Sequence, residues 1–309
     1  MSASLLDLPT ELIFEISSIV CSRSQHDYLS LKLVSRRLHD LISVPCLLVV
    51  PVILEDHTTI KSFSNFLQTS PWLPVRIRHL WITLGSSRHA NYIATVCTNL
   101  VSLACSSNVL VFISSDVEFR HTHIRELTLI GENWPSWTPL ICSPYGGHLC
   151  GQITHLRLQE GVTPILPIVL LTSLTHLAFS TRPVKDFVER HLIYLGQLRN
   201  LGCIVLTTFW WREEAPDQET LEILDMDRRL SLIHCEQHWR EIDAWNDRVS
   251  GSEGIWGQGI KSTSKHLFSP PRVRAFDTLT SYDRKVLFWG SKFQVTFGYV
   301  VCVHKLHES

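Results

Sequence analysis

Apolar positions between residues 77 and 206 repeat in a fixed phrase. An apolar residue is followed three positions later by a second one, and two positions after that by a third apolar residue or a Cys. The six occurrences are Ile77/Leu80/Ile82, Leu100/Leu103/Cys105, Ile124/Leu127/Leu129, Ile153/Leu156/Leu158, Leu174/Leu177/Phe179 and Leu201/Ile204/Leu206. Their first positions are separated by 23, 24, 29, 21 and 27 residues. Because alternate residues of a strand face the same side, each phrase predicts a short strand with one buried face.

This period is similar to that of leucine-rich repeats, in which each unit supplies one short strand and one return segment. A unit of this length cannot bury its own apolar edge, so neighbouring units must stack and share a continuous core. Residues 59–68, 88–97 and 185–195 have apolar residues at helical spacing and are predicted to be return helices. We therefore predict an α/β solenoid over residues 46–235, with a parallel concave sheet and convex helices.

One more unit is predicted after the sixth phrase. Asp217 can cap a helix that runs through Leu224, and residues 230–233 would follow as a closing strand. The return segment between Leu129 and Ile153 is richer in Pro and Gly than in helix formers, so we expect it to be irregular.

The residues that alternate with the buried positions face the other side of each strand, so we predict that they form the concave face of the sheet. In a solenoid this face is an exposed surface that can hold a partner. The residues of this face that we expect to contact a substrate are His79, Trp81, Glu126, Thr128, His155, Arg157 and His176.

The first fifty residues have a different, helical pattern. Asp7 can cap a first helix that carries Pro9 in its first turn, and Ser24 opens a second helix. Ser35 can cap a third helix, which Pro45 ends. Three helices of this length make a small core, which usually needs a partner or an attached domain to complete its burial.

The sequence of this helical module resembles an F-box, especially the F-box-like modules of fungal proteins. The resemblance rests on Leu8-Pro9-Thr10-Glu11-Leu12-Ile13 with Ile16, and on Leu31-Lys32-Leu33-Val34-Ser35-Arg36-Arg37-Leu38. It covers residues 5–45, and leucine-rich repeats are a frequent partner domain in that family. The chain departs from the family at Leu38, where many F-boxes carry Trp.

The resemblance implies a function as the substrate-recognition subunit of an SCF-type ubiquitin ligase. Residues 5–45 would bind the Skp adaptor, and a cullin through it, while the repeats would hold a protein substrate. The adaptor contacts that the matched positions imply are Leu8, Pro9, Ile13, Ile16, Val34 and Ser35. A second interpretation is a repeat scaffold or sensor outside any ligase, in which the helical module only seals the first repeat.

Composition and charge argue against several classes of partner and indicate a cellular compartment. The 309 residues are 45% hydrophobic and 18% charged, which favours a substantial core over disorder. The formal net charge of −1 and the lack of a dense Lys/Arg run argue against binding to nucleic acid or to an anionic membrane. Nine Cys, an odd number, favour free thiols in a reducing compartment, so we expect the cytoplasm or nucleus. The N-terminus lacks the pattern of a secretory signal.

Candidate chemistry is sparse. Cys142, His148 and Cys150 lie close enough for zinc, but a structural site needs four ligands and no matching pair lies nearby, so a loop that happens to hold two Cys is favoured. No nucleophile elbow, phosphate-binding loop or dinucleotide fingerprint is present, so we expect no enzymatic activity, cofactor or metal. The loop tryptophans that could anchor a partner, or instead fill gaps between repeats, are Trp134, Trp137, Trp210 and Trp211.

The C-terminal region does not follow the repeat. Residues 236–260 hold three Trp among acidic residues and Gly, similar to the terminal stretch of many fungal F-box proteins, and we predict that they form a C-terminal cap. Residues 261–309 have no assigned role.

Overall fold

The computed structural model describes residues 8–83, 87–116, 118–131, 137–159, 166–180, 193–209, 218–235, 240–252 and 254–259. All of them belong to the unit that residues 1–267 form. Within these ranges no helix combines the length and the apolar character that crossing a bilayer requires.

Eight strands form one parallel sheet in which the order of the strands follows the order of the chain. The strands are β1 (Pro51–Leu54), β2 (His79–Ile82), β3 (Ser102–Cys105), β4 (Glu126–Leu129), β5 (His155–Leu158), β6 (His176–Ser180), β7 (Cys203–Phe209) and β8 (Leu230–Cys235). Each strand pairs only with its neighbours in sequence, so the protein has the α/β, solenoid-like architecture of stacked units.

Helices precede the sheet, connect its strands and follow its last strand. They are α1 (Thr10–Cys21), α2 (Gln25–Val34), α3 (Arg36–Ile42), α4 (His57–Thr69), α5 (Arg88–Val96), α6 (Ser107–Ser114), α7 (Thr138–Ile141), α8 (Gly146–Gln152), α9 (Ile193–Leu195), α10 (Gln218–Met226) and α11 (Glu241–Val249). Three short 3₁₀ turns lie at Pro45–Leu48, Pro74–Arg76 and Ile168–Leu170, and residues 254–259 are also helical.

The repeated phrase forms the ladder of the core, as predicted. The middle residue of each phrase pairs with the middle residue of the next strand, from Leu80 and Leu103 on β2 and β3 to Leu177 and Ile204 on β6 and β7. The first and third residues of all six phrases are buried in the same cluster. This ladder is continuous through β8, which confirms the predicted closing strand.

Some elements differ from the prediction. Strand β1 was not predicted, although its parallel pairing with β2 makes it the first rung of the sheet. The irregular return before β5 contains two short helices, α7 and α8. Only residues 193–195 of the return predicted at 185–195 lie among the described residues, and they are helical.

In the helical head, residues 8–50, the second and third helices begin where a serine side chain caps them. The Oγ of Ser24 accepts from the backbone N–H of Asp27, and the Oγ of Ser35 accepts from that of Leu38, as the sequence predicts. Helix α1 begins one residue after Pro9, and Asp7 lies outside the described residues. Leu38 is buried.

The head is not a separate globule. Cys21, Tyr28, Ile42 and Cys46 of the head belong to the same buried cluster as Val52 of β1 and the ladder beyond it. The hydroxyl of Tyr28 also donates to the backbone carbonyl of Ser43 at 2.8 Å, which satisfies the one polar atom of a buried ring. The head therefore completes its core on the first strand of the sheet.

Candidate protein-binding surfaces

The side of the sheet opposite to the ladder carries two rows of side chains, because the parallel register brings equivalent positions side by side. We call these rows the sheet face. The first row is His79, Ser102, Glu126, His155, His176 and Cys203. The second row is Ile53, Trp81, Ala104, Thr128, Arg157, Ala178, Val205 and Ser231. The structure thus brings all seven predicted substrate contacts onto one face.

This face is covered by the chain itself. Helix α11 and the helical residues 254–259 lie on it, and we call residues 240–259 the cover. The cover reaches from Trp81 of β2, against which Trp245 packs, to Ser231 of β8. Near β8 the backbone comes so close that a Cβ on Gly259 would lie 2.7 Å from a methyl group of Val205, which is why glycine stands there.

The position of the cover corrects two predictions. Residues 236–260 were expected to cap the end of the array, but the described part of this segment lies along the sheet instead. The sheet face was expected to be open, but Trp81, Thr128 and Arg157 are buried, with 3%, 7% and 4% of their surface exposed. The other four expected contacts, His79, Glu126, His155 and His176, are partly buried.

A buried ion pair fixes the first turn of α11. The guanidinium of Arg157 donates from Nη2 to Oε1 of Glu241 at 2.7 Å and from Nε to Oε2 of the same carboxylate. The hydroxyl of Ser180 donates to Oε1 at 2.9 Å, and Thr207 lies 3.0 Å from that hydroxyl. Both charged side chains are under 10% exposed. Because burying a charge is costly unless an opposite charge faces it, the guanidinium and the carboxylate compensate each other inside the protein.

One turn further along α11, Trp245 fills a slot between β2 and β3. Its indole Nε1 donates to the hydroxyl of Ser102 at 2.9 Å, and its ring meets Trp81 edge to face, with the centroids 5.6 Å apart. The small side chain of Ala104 belongs to the same cluster and leaves room for both rings.

The third contact of the cover is an aromatic one. His155 and His176 occupy adjacent positions on β5 and β6, and their rings are stacked with centroids 4.2 Å apart. The ring of Trp256 is steeply inclined to both of them, with its centroid 5.4 Å from that of His155 and 5.6 Å from that of His176.

The threonine before each histidine contacts its ring. Nδ1 of His155 lies 3.0 Å from the hydroxyl of Thr154, and Nδ1 of His176 lies 2.8 Å from the hydroxyl of Thr175. Both hydroxyls also lie within hydrogen-bonding distance of a backbone carbonyl. Burial lowers the pKa of His155 to about 3, and His176 and Arg248 act in the same direction. The pKa of His176 is lowered by burial and by Arg248.

A second ion pair lies beside these rings. Arg248 of α11 donates from Nη2 to Oε1 of Glu126 at 2.8 Å. Burial raises the pKa of Glu126, and the guanidinium opposes that shift. The cover also reaches the head, because Asn246 Nδ2 donates to the carbonyl of Arg23 at 2.9 Å and the hydroxyl of Ser250 donates to that of Ser22 at 2.6 Å.

The head carries a second candidate surface. Large apolar side chains are exposed on both α1 and α2, which is unusual for a surface that meets only water. They are Leu12, Phe14, Ile16, Ile19, Leu29, Leu33 and Val34. The sequence predicted adaptor contacts at only two of these residues, Ile16 and Val34. Helical spacing from Ile16 would also have indicated Leu12 and Ile19, which lie on the same side of α1.

The other residues expected on this surface have mixed positions. Pro9 is exposed and Leu8 is partly buried. Ile13 is completely buried inside the head, so the expectation that it contacts an adaptor is wrong. Ser35 is partly buried, and its hydroxyl is engaged as the cap of α3.

The remaining candidates do not form a site. Cys150 is buried and Cys142 is exposed, while the His148 ring lies edge-on to Phe119. Among the residues that the structure describes, no three His, Cys, Asp or Glu side chains are grouped as metal ligands. Trp137 is buried, so it packs inside the fold; Trp134, Trp210 and Trp211 lie outside the described residues.

No protein-family model matches this chain, and no curated protein matches it either.

Proposed function

We propose that this protein is the substrate-recognition subunit of an SCF-type ubiquitin ligase, in which the head binds the Skp adaptor and the repeats hold a protein substrate. The observation that carries the proposal is the exposed apolar surface of the head. Seven large apolar side chains are exposed on two consecutive helices, in the module whose sequence resembles an F-box.

The protein has no catalytic role in this proposal. It holds a substrate lysine near the ubiquitin-conjugating enzyme and so replaces a random encounter by a high effective concentration. A head whose core is continuous with that of the sheet suits this role, because a firm connection preserves the distance between adaptor and substrate. The free thiols of Cys97 and Cys105 in the core fit the cytoplasm or nucleus, where such ligases act.

The test is capture of the purified chain by the Skp adaptor. We expect Ile16→Asp and Val34→Asp each to abolish capture, since a carboxylate would have to be desolvated in an apolar interface. Val169→Asp is the matched control, because Val169 is 83% exposed and lies between β5 and β6, away from the head. A wild-type chain that shows no affinity for the adaptor contradicts the proposal.

The second candidate is a repeat scaffold whose head only seals the array. The burial of Cys21, Tyr28 and Ile42 against the first strand is what a sealing cap requires. A stable monomer that no adaptor captures would favour this function.

A further inference from the structure

The apolar contacts beneath the cover are separate from the main core. One small cluster joins Trp81 and Ala104 of the sheet, and Ile130 directly after β4, to Ile242 and Trp245 of the cover. A second joins Ala178, Cys203 and Val205 to Ala244, Ile255 and Trp256. None of these residues belongs to the ladder cluster, so the cover can leave the face while the ladder stays closed.

The cover itself has little intrinsic structure. Helix α11 has nine residues and the helical segment 254–259 has six, and isolated helices below about 12 residues are marginal in water. Gly251 lies between the two and Gly254 opens the second, both at positive φ. The helices therefore depend on the face for their stability, as an amphipathic segment does when it folds into a groove.

The face recognises the cover through polar groups at fixed positions. Glu241 and Trp245 are four residues apart and lie on one side of α11, where they meet Arg157 and Ser102. A buried ion pair of this kind adds little net stability, since both charges were hydrated before it formed, but it discriminates strongly against segments that lack the carboxylate. Removal of the cover from the face would return the carboxylate of Glu241 to water and uncover the guanidinium of Arg157.

We propose that the sheet face is a binding surface for a helical segment of a protein substrate that carries a carboxylate and, four residues later, a Trp, and that the cover is its resident competitor. This inference rests on the proposed function, in which the repeats hold the substrate. The charged groups of the face support this occupant: Arg157 and the hydroxyl of Ser180 are turned toward the carboxylate of Glu241, while Glu126 on the same face meets the guanidinium of Arg248.

The test uses a fluorescent synthetic peptide of residues 240–259 as the probe. We expect the full chain with Glu241→Ala and Trp245→Ala, whose own cover is weakened, to bind it at least about tenfold more tightly than the wild-type chain does. A peptide with Glu241→Ala should bind about tenfold less tightly. A peptide with Arg240→Ala is the matched control and should bind as the wild-type peptide does, because the side chain of Arg240 is exposed and forms an ion pair with Asp243 of the peptide itself. Equal binding of all three peptides, or no binding, overturns the proposal.

A second measurement keeps the proposal testable if the double variant does not fold. In hydrogen exchange of the wild-type chain, we expect the amides of α11 to exchange at least about tenfold faster than those of β4 and β5, through local opening. Exchange of α11 only through global unfolding contradicts the proposal. A concentration-dependent dimer that exchanges its covers would assign the face to a second copy and also overturns it.

The outcomes separate this inference from the proposed function. Adaptor capture depends on the exposed apolar side chains of α1 and α2, whereas the peptide contacts the sheet face and, in the head, only the backbone carbonyls of Ser22 and Arg23 among the described residues. Loss of capture with peptide binding intact would refute the ligase function, whereas the reverse pattern would refute the occupant proposed here.

Discussion

Arg157 and His155 stand two positions apart on β5, and the side chains around them differ. Arg157 meets the carboxylate of Glu241, whereas His155 meets the rings of His176 and Trp256. An imidazolium at position 155 would be buried, and it would face a second imidazole and the nearby guanidinium of Arg248. The pKa of His155 is therefore lower in the folded protein than in the unfolded chain.

This difference predicts that acid destabilises the protein. In the unfolded chain both histidines bind a proton below pH about 6.5, whereas the folded protein keeps His155 neutral until pH about 3. The unfolded state then holds more protons, so the free energy of unfolding falls as pH drops from about 6.5, by at most about 1.4 kcal/mol for each proton and pH unit. Urea unfolding at pH 7, 6 and 5 measures the slope.

Replacing the pair separates its contribution from that of other groups. We expect His155→Asn with His176→Asn to flatten the slope between pH 6.5 and 5. His26→Asn is the control and should leave it unchanged, since that side chain is 87% exposed. Parallel slopes for the double variant and the wild-type chain would contradict the prediction.

At the scale of elements, the return helices α5 and α6 both follow a serine, but only the serine before α5 caps its helix with a side-chain hydrogen bond. The Oγ of Ser87 accepts from the N–H of Ala90 at 3.0 Å and caps α5. Ser106 precedes α6 in the same way, but its buried hydroxyl makes no hydrogen bond in the described structure. The two positions form a natural pair for measuring what a cap contributes.

We predict that Ser87→Ala lowers the free energy of unfolding by about 1 kcal/mol, because the N–H of Ala90 loses its acceptor. Ser106→Ala should leave stability unchanged or raise it slightly, since it removes an unsatisfied buried group. Chemical denaturation of both variants checks this. Equal losses of unfolding free energy in the two variants would contradict the prediction, because they would show that the cap hydrogen bond of Ser87 is not the cause of the loss.

Strands β2 to β8 were predictable because their apolar residues recur, whereas β1 was overlooked for a local reason. Val49, Val52 and Leu54 repeat the spacing of the phrase, 28 residues before Ile77. Pro51 interrupts that run and argues against a strand. A proline is nevertheless compatible with the first residue of an edge strand, where no ladder hydrogen bond is lost.

The cover could not be predicted from the sequence for a different reason. Its polar contacts join residues far apart in the chain: Arg157 and Glu241 are 84 positions apart, and Ser102 and Trp245 are 143 apart. Such pairs produce no periodic pattern. Alternation correctly indicates which side of a strand a residue faces, but it cannot distinguish a side that meets water from one that meets another segment.

At the scale of the whole molecule, the head and the sheet share one core. Ile42 of α3 is fully buried in the cluster that continues along the ladder. We predict that Ile42→Ala lowers the stability of the sheet together with that of the head, by about 2 to 5 kcal/mol.

The probes for this prediction are tryptophan fluorescence and far-UV circular dichroism. Every Trp lies beyond residue 70, so fluorescence reports on the chain outside the head. Coincident transitions at a lower urea concentration are the expected result. Leu33→Ala should have almost no effect, because Leu33 is 87% exposed. A fluorescence transition that stays at its wild-type midpoint in Ile42→Ala would mean that the head unfolds independently.

The late position of the cover matters during synthesis. All eight strands leave the ribosome before Glu241 does, so a nascent chain displays Trp81 and Arg157 without the cover until residues 240–259 emerge. A message with a premature stop after β8 would make that display permanent. We expect chaperones to bind such a truncated chain and proteases to degrade it.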